Sequence, residues 1–175
     1  MNVEIRPAPS AFSDWESLLA ILHAAFAYQH DRIDPPSSLL KLDVASIAVK
    51  AQDEQLFIAQ RADELVGCVF ARHQPSSLYV GKLAVKPDLQ GQGIGGRLMQ
   101  AVETYATQQG FSSLELDTRI ELTENHDTFA ALGFVKTADN AHEGYNRTTY
   151  ITMQKLVASP ASGQASTTSL TGDET

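Results

Sequence analysis

Between Val85 and Arg97 the chain reads VKPDLQGQGIGGR, placing glycines at 91, 93, 95 and 96 between a strand-like run, SLYVGKLAV (77–85), and a long helical pattern. Glycine reaches positive φ and close backbone approach without steric cost, but it loses more conformational freedom on ordering than any other residue. A plain turn needs one or two glycines, so a larger group implies that the loop amides must converge on something. At a helix N-terminus, successive N–H groups and the helix dipole together favour negative charge. The loop is therefore predicted to cradle a phosphate or pyrophosphate. The run LELD (114–117) after the helix alternates apolar and acidic residues like a strand. A strand, loop, helix, strand order implies a parallel crossover.

The rest of the chain bounds what surrounds that unit. With 175 residues and 43% hydrophobic content, one core and a single domain are expected. A formal charge of −8 leaves no broad basic face for a nucleic-acid backbone. It favours a cationic substrate only weakly. No apolar run approaches the ~18 residues of a membrane span, and no leader pattern opens the chain. A cytoplasmic protein without nucleic-acid or membrane partners is the expectation. Cys68 is the sole cysteine, which excludes an internal disulfide and a CxxC motif, and no metal is expected.

VEIRP (3–7) reads as a short edge strand ended by proline. SDWESLLAILHAAFAYQ (13–29) reads as an amphipathic helix, with Ser13 and Glu16 at capping-box spacing and Trp15, Leu18, Leu19, Leu22, Ala25 and Phe26 on its apolar face. A weaker helix is predicted over 39–49, then a hairpin of LFIAQR and LVGCVFAR, extended by SLYVGKLAV into an antiparallel meander. The glycine loop opens a helix over 93–109 with Ile94, Leu98, Ala101, Val102 and Tyr105 buried, stopped by Gly110. Thr123 is placed to cap a short helix closed by Gly133, with strands after it from Phe134 and over 148–155. From residue 158 a Ser/Thr/Ala/Gly-rich tail to 175 offers almost nothing to bury and is expected to be disordered, leaving 1–157 as the domain.

Gly91, Gly93 and Gly96 satisfy G-x-G-x-x-G, and Glu115 falls about 20 residues on, where a ribose-binding acid belongs in a dinucleotide fold. A small nicotinamide-dependent oxidoreductase is therefore one reading. Against it, Lys86 to Gln90 separate the strand from the first glycine, a meander precedes the unit, and too little chain follows for a doubly wound sheet. An NTPase phosphate loop needs Lys and Ser/Thr where Gly96 and Arg97 stand. Gln90, Gly93 and Gly95, directly after LAV and a KPD turn, instead fit Q/R-x-x-G-x-G/A. This resembles the GNAT superfamily of acyl-CoA-dependent N-acyltransferases, over roughly 3–155 and most specifically over 83–134.

The resemblance implies an α/β (α+β) fold, a mixed and mostly antiparallel central sheet flanked by helices, with a V-shaped splay between the fourth and fifth strands. It implies acetyl-CoA as cosubstrate and transfer of its acetyl group to a primary amine of a small molecule or protein N-terminus, by direct attack. Leu83, Ala84 and Val85 would hold the pantetheine arm and offer an N–H to the thioester carbonyl. Gln90, Gly91, Gln92, Gly93, Ile94, Gly95 and Gly96 would take the pyrophosphate. NHDTFAALGF (125–134) matches a second family motif, which gives Asn125 and Phe129 to the cofactor. Many members carry a tyrosine at the Phe129 position to protonate the leaving thiolate. Its absence leaves open a non-catalytic acyl-CoA-binding or regulatory module. Tyr145 is the candidate acid and Asp117 the candidate base, by likeness of LELDTR to an acid-bearing family strand. Tyr79, Glu115 and Asp31 are candidate acceptor-pocket residues. A homodimer is a further expectation from the resemblance.

Overall fold

From the N-terminus the elements are β1 (Val3–Pro7), α1 (Trp15–Phe26), α2 (Val44–Asp53), β2 (Gln55–Arg61), β3 (Glu64–His73), β4 (Leu78–Val85), α3 (Ile94–Gln108), β5 (Ser113–Arg119), α4 (Thr123–Ala131), β6 (Val135–Asn140) and β7 (Tyr150–Leu156). The structure is a computed structural model and describes residues 2–158, so the tail expected over 158–175 lies, beyond its first residue, outside the described residues. The strands form one seven-stranded sheet in the order β1-β2-β3-β4-β5-β7-β6. All neighbours are antiparallel except β4 and β5, the parallel pair that the glycine-loop unit demanded. A single parallel pair is not the doubly wound sheet of the nicotinamide reading, and the fold removes that alternative.

The central strands are apolar on both faces because both faces are covered. Phe57 and Ala59 of β2 pack in one core cluster with Leu98, Met99 and Val102 of α3. The alternating Leu56 and Ile58 pack in the other with Leu18 and Leu22 of α1 and Ile47 of α2. Leu18, Leu22, Leu98 and Val102 are fully buried. Each such side chain contributes about 1.5–3 kcal/mol relative to exposure.

Helix starts depart from the sequence reading by a residue or two. Asp14, not Ser13, caps α1, accepting from the Ser17 N–H at 3.4 Å, because it stands directly before the first helical residue. Ile21 rather than Leu19 completes that helix's buried stripe. The helix expected over 39–49 is a 3-10 turn, Ser38–Lys41, followed by α2, where Asp43 and Ser46 form a capping box and restart the chain. In α3 the buried stripe is Ile94, Leu98, Met99, Val102 and Ala106. Tyr105 sits at its border, where its hydroxyl meets His73 Nε2 at 2.8 Å. Leu122 occupies the cap position of α4 without a side-chain bond, and Thr123 is its first helical residue.

Two irregularities in β4 shape the middle of the sheet. The β4–β5 ladder holds only Leu78 opposite Leu114 and Tyr79 opposite Glu115, so β4 from Val80 onward has no β5 partner. This is the expected splay. On its other side, the register with β3 jumps from Cys68–Ala84 to Phe70–Gly81, which sets Lys82 and Leu83 against Val69 alone. Lys82 occupies the left-handed region at φ 53°, as a bulge residue does. The buried Cys68 thiol donates to the Lys82 carbonyl at 3.6 Å, and burial pushes that thiol up to about 12. Cys68 is thereby part of the packing beneath the bulge and chemically inert at neutral pH. Gly67 lets β3 come close here, since a Cβ would stand 2.9 Å from the Ala84 carbonyl oxygen.

Candidate active site

Where β4 parts from β5, the open strand edge faces the N-terminus of α3. Gly91 (φ 81°) and Gly93 (φ 87°) turn the chain into the helix, and a Cβ on either would meet only open space. Gly93 is the cap residue, no side chain caps the helix, and no acidic residue stands in its first turn. The first N–H groups of α3 are thus left to an external acceptor, in the dipole's favourable field. Gln90 sends its side-chain amide back to the Val85 carbonyl at 3.2 Å, tying the loop to the strand end.

A cavity of about 500 Å³ lies between these parts. Leu83, Ala84, Val85, Gln90, Gly91, Ile94 and Gly95 line it from one side, Asn125 and Phe129 of α4 from the other. Gln92, Gly93 and Gly96 do not line it, although Gly93 sets the helix start. Phe129 rests edge-on against Phe134 with ring centroids 6.0 Å apart. An extended ligand with an anionic segment fits this cleft: amides for the anion, a bare strand edge for amide bonds, and apolar walls along its length.

A second, larger cavity of about 970 Å³ adjoins the first. Both are lined by Phe26, Leu83, Asn125 and Phe129, so these four mark their junction. Asp117 and Tyr79 line the larger one. Asp117 stands opposite Thr152 across the β5–β7 ladder and accepts from its hydroxyl at 2.7 Å, while its other oxygen accepts from Tyr79 at 3.1 Å. Burial, and next the Asp117 carboxylate, push the Tyr79 hydroxyl above its ordinary value, so it remains a hydrogen-bond donor. The result is an exposed carboxylate held in one orientation by two donors.

The other candidates stand apart. Tyr145 lines neither cavity; its hydroxyl donates to Asp34 at 2.7 Å, and this bond, ahead of burial, raises its pKa. Glu115 accepts from the Gln154 amide at 2.8 Å and lies outside both linings. Asp31 is exposed on its turn and also lines neither. From the same loop Pro35 and Pro36 line the larger cavity, and their carbonyls accept from Arg119 at 2.8 and 3.3 Å.

Several site residues carried no motif. Tyr28 lines the smaller cavity, and its hydroxyl is bonded to Asn125, 3.1 Å from Nδ2, and to Gln29, 3.2 Å from Nε2. Arg32 pairs with Glu124 at the start of α4 and holds that carboxyl down to about 2. Arg72, Lys82, Arg119 and His142 line the larger cavity. Burial, then Arg119, lowers His142. These residues come from separate elements, and only Tyr28, at the end of a helix that the sequence marked clearly, carried any local signal.

The model of the acetyltransferase (GNAT) family matches residues 15–134. Because the match spans more than half of the chain, the chain belongs to that family and is an acyltransferase. It is 25% identical over 142 residues to an uncharacterized N-acetyltransferase, YesJ, of Bacillus subtilis (strain 168), covering 72% of this chain and 79% of that one. It is 34% identical over 102 residues to a mycothiol acetyltransferase of Thermobispora bispora, covering 58% of this chain and 32% of the relative. This chain therefore matches about a third of that protein's length. Among solved structures, PaiA N-acetyltransferase of Thermoplasma acidophilum in complex with coenzyme A superposes with a TM-score of 0.72 at 17% identity, covering 89% of this chain and 99% of that one. That likeness extends the fold assignment to nearly the whole described chain.

Proposed function

We propose that this enzyme transfers the acetyl group of acetyl-CoA to a primary amine by direct attack, with the donor in the smaller cavity and the acceptor in the larger. The observation that supports this division is the junction at Leu83: the bulged, unpaired stretch of β4 lies where the two cavities meet. A thioester there has the strand's amides beside its carbonyl. Such donors stabilise the oxyanion that develops as the amine adds.

In the proposed reaction a nitrogen–carbon bond forms, the carbon–sulfur bond breaks, one proton leaves the amine and one reaches the departing sulfur. Asp117 takes the amine's proton, directly or through water, with Tyr79 and Thr152 fixing its orientation. Tyr28, bonded to Asn125 at the junction, replaces Tyr145 in this account as the source of the sulfur's proton. The loop glycines and the α3 amides take the pyrophosphate. Cytoplasmic location, a homodimer and a domain ending near residue 157 belong to the same proposal and rest on composition and family likeness.

Thiol release measured with acetyl-CoA and a panel of amines tests it. An amine-dependent rate is expected, falling about 10²–10⁴-fold in Asp117→Asn while acetyl-CoA affinity is retained. Equal loss of rate and affinity in that variant would make Asp117 structural instead.

A further inference from the structure

The chain carries 13 lysines and arginines against 21 aspartates and glutamates, yet the larger cavity reverses the balance. Its lining holds Lys41, Lys50, Arg72, Lys82 and Arg119 against Asp117 and Glu143. Some of that positive charge is already answered. Lys50 pairs with Glu54 at 2.7 Å, and Arg119 is anchored on the Pro35 and Pro36 carbonyls. Three cations are not: no ion pair among the described residues includes Lys41, Lys82 or Arg72. Two of them, Lys82 and Arg72, lie on the neighbouring strands β4 and β3.

Both stand beside the proposed chemistry. Lys82 is half-buried in the bulge, immediately before Leu83 at the cavity junction. Burial, then Lys50, holds its ammonium below the ordinary lysine value. Glu54 partly offsets Lys50, but a desolvated cation that makes no ion pair is costly unless a ligand supplies the anion. The Arg72 guanidinium lies over the Tyr79 ring, 4.6 Å from its centroid, and the hydroxyl of that ring donates to Asp117. One aromatic ring thus separates a free guanidinium from the proposed proton acceptor. The smaller cavity contrasts with this: among the described residues Glu124 is the one charged side chain in its lining, so the cations are not placed for the donor's phosphates.

We infer that the acceptor is a small amine that bears its own carboxylate or phosphate, with the anionic group on Lys82 and Arg72 and the amine at Asp117. The inference rests on the acetyltransferase reading of the site and narrows its substrate class. It also reverses the weak leaning of the overall charge toward a cationic substrate. A polyamine would meet like charge at most of the charged side chains of this wall.

Matched pairs decide the matter: alanine against alaninamide for carboxylate, glucosamine 6-phosphate against glucosamine for phosphate, with spermidine as the polycation. Thiol release is read for the wild type, Lys82→Met, Lys82→Arg and Arg72→Gln. In parallel, the CoA-loaded protein is titrated with N-acetylalanine and N-acetylglucosamine 6-phosphate. The expected result is a preference of about tenfold or more for an anionic member over its uncharged partner, as charge-assisted hydrogen bonds provide. Lys82→Met abolishes that preference, Lys82→Arg keeps it, and acetyl-CoA affinity is unchanged in both. Should the Lys82 variants fold poorly, Arg72→Gln on the exposed end of β3 carries the same expectation. Whichever pair responds names the anion. Equal or better use of the uncharged members or spermidine overturns the inference and leaves the acetyltransferase reading standing. So does the absence of both turnover and binding with every anionic probe while acetyl-CoA binds. Failure of acetyl-CoA to bind at all overturns both.

Discussion

The smaller cavity takes one wall from residues between Leu83 and Gly95, a strand edge and a helix start close together in sequence, with α1 and α4 closing the other side. The larger takes its walls from β3, β4, β5, the segment around residues 35–41 and the loop between β6 and β7, and its lining carries seven Lys, Arg, Asp and Glu residues. Backbone recognition suits a ligand that never changes: a strand edge and a helix N-terminus bind pantetheine amides and pyrophosphate with no residue identity beyond glycine where φ is positive. Side-chain recognition suits a partner that differs between relatives. Under the proposed function, the difference assigns specificity to the wall contributed by elements far apart in sequence.

If the donor side is truly a backbone site, its most damaging single change is at the helix cap. Gly93→Glu forces a side chain into φ 87° at the residue that starts α3 and adds a carboxylate beside the helix N-terminus. Strain of about 1–2 kcal/mol and a comparable electrostatic loss should weaken acetyl-CoA binding on the order of 100-fold by calorimetry. An unchanged affinity would erase the contrast between the cavities.

A smaller effect is expected at the junction. Tyr28→Phe removes the hydroxyl bonded to Asn125 but keeps the ring, so turnover should fall about tenfold with acetyl-CoA affinity retained. Unaltered turnover would return the proton to solvent.

The smallest effect concerns the Arg32–Glu124 tie between the segment after α1 and the start of α4. The Glu124 carboxyl lies at about 2, below its ordinary 4.5, chiefly through its hydrogen bond to Arg32. Its folded-state pKa is depressed, so the tie stabilises fully above about 4.5 and loses its effect as pH falls toward 2. Arg32→Gln should lower Tm slightly at pH 7, and the gap from wild type should close between those limits. A gap independent of pH would assign Arg32 another role, such as its stacking near Tyr28, 5.9 Å from the ring centroid.

The contrast also explains what the sequence disclosed. The sheet order around β4 and β5 followed from the glycine loop, because four closely spaced glycines before a helical stripe have few other uses. Most of one wall of the smaller cavity was legible because Leu83, Val85, Gly91 and Gly95 are neighbours in sequence and in space. Asp117 was singled out by the likeness of LELDTR to an acid-bearing family strand, since alternation puts Glu115 on the same face; its partner Thr152 stands directly across the ladder. Arg72 and Lys82 were invisible, since a cation on a strand reads as solvated until the splay, the bulge and the missing carboxylates are seen together. Tyr145 and Asp31 were plausible by loop position. Asp34 takes the Tyr145 hydroxyl, however, and the cavity uses the prolines of the same loop rather than its acids.

The most direct measurement of the two-sided site is backbone and side-chain NMR during stepwise addition of acetyl-CoA and then an anionic amine. The account predicts that acetyl-CoA shifts the amides of Leu83 to Val85 and Gly91 to Gly96, leaving Arg72 unmoved until the amine is added. Simultaneous movement of both sides with acetyl-CoA alone, or shifts centred away from β4 and the α3 start, would contradict it.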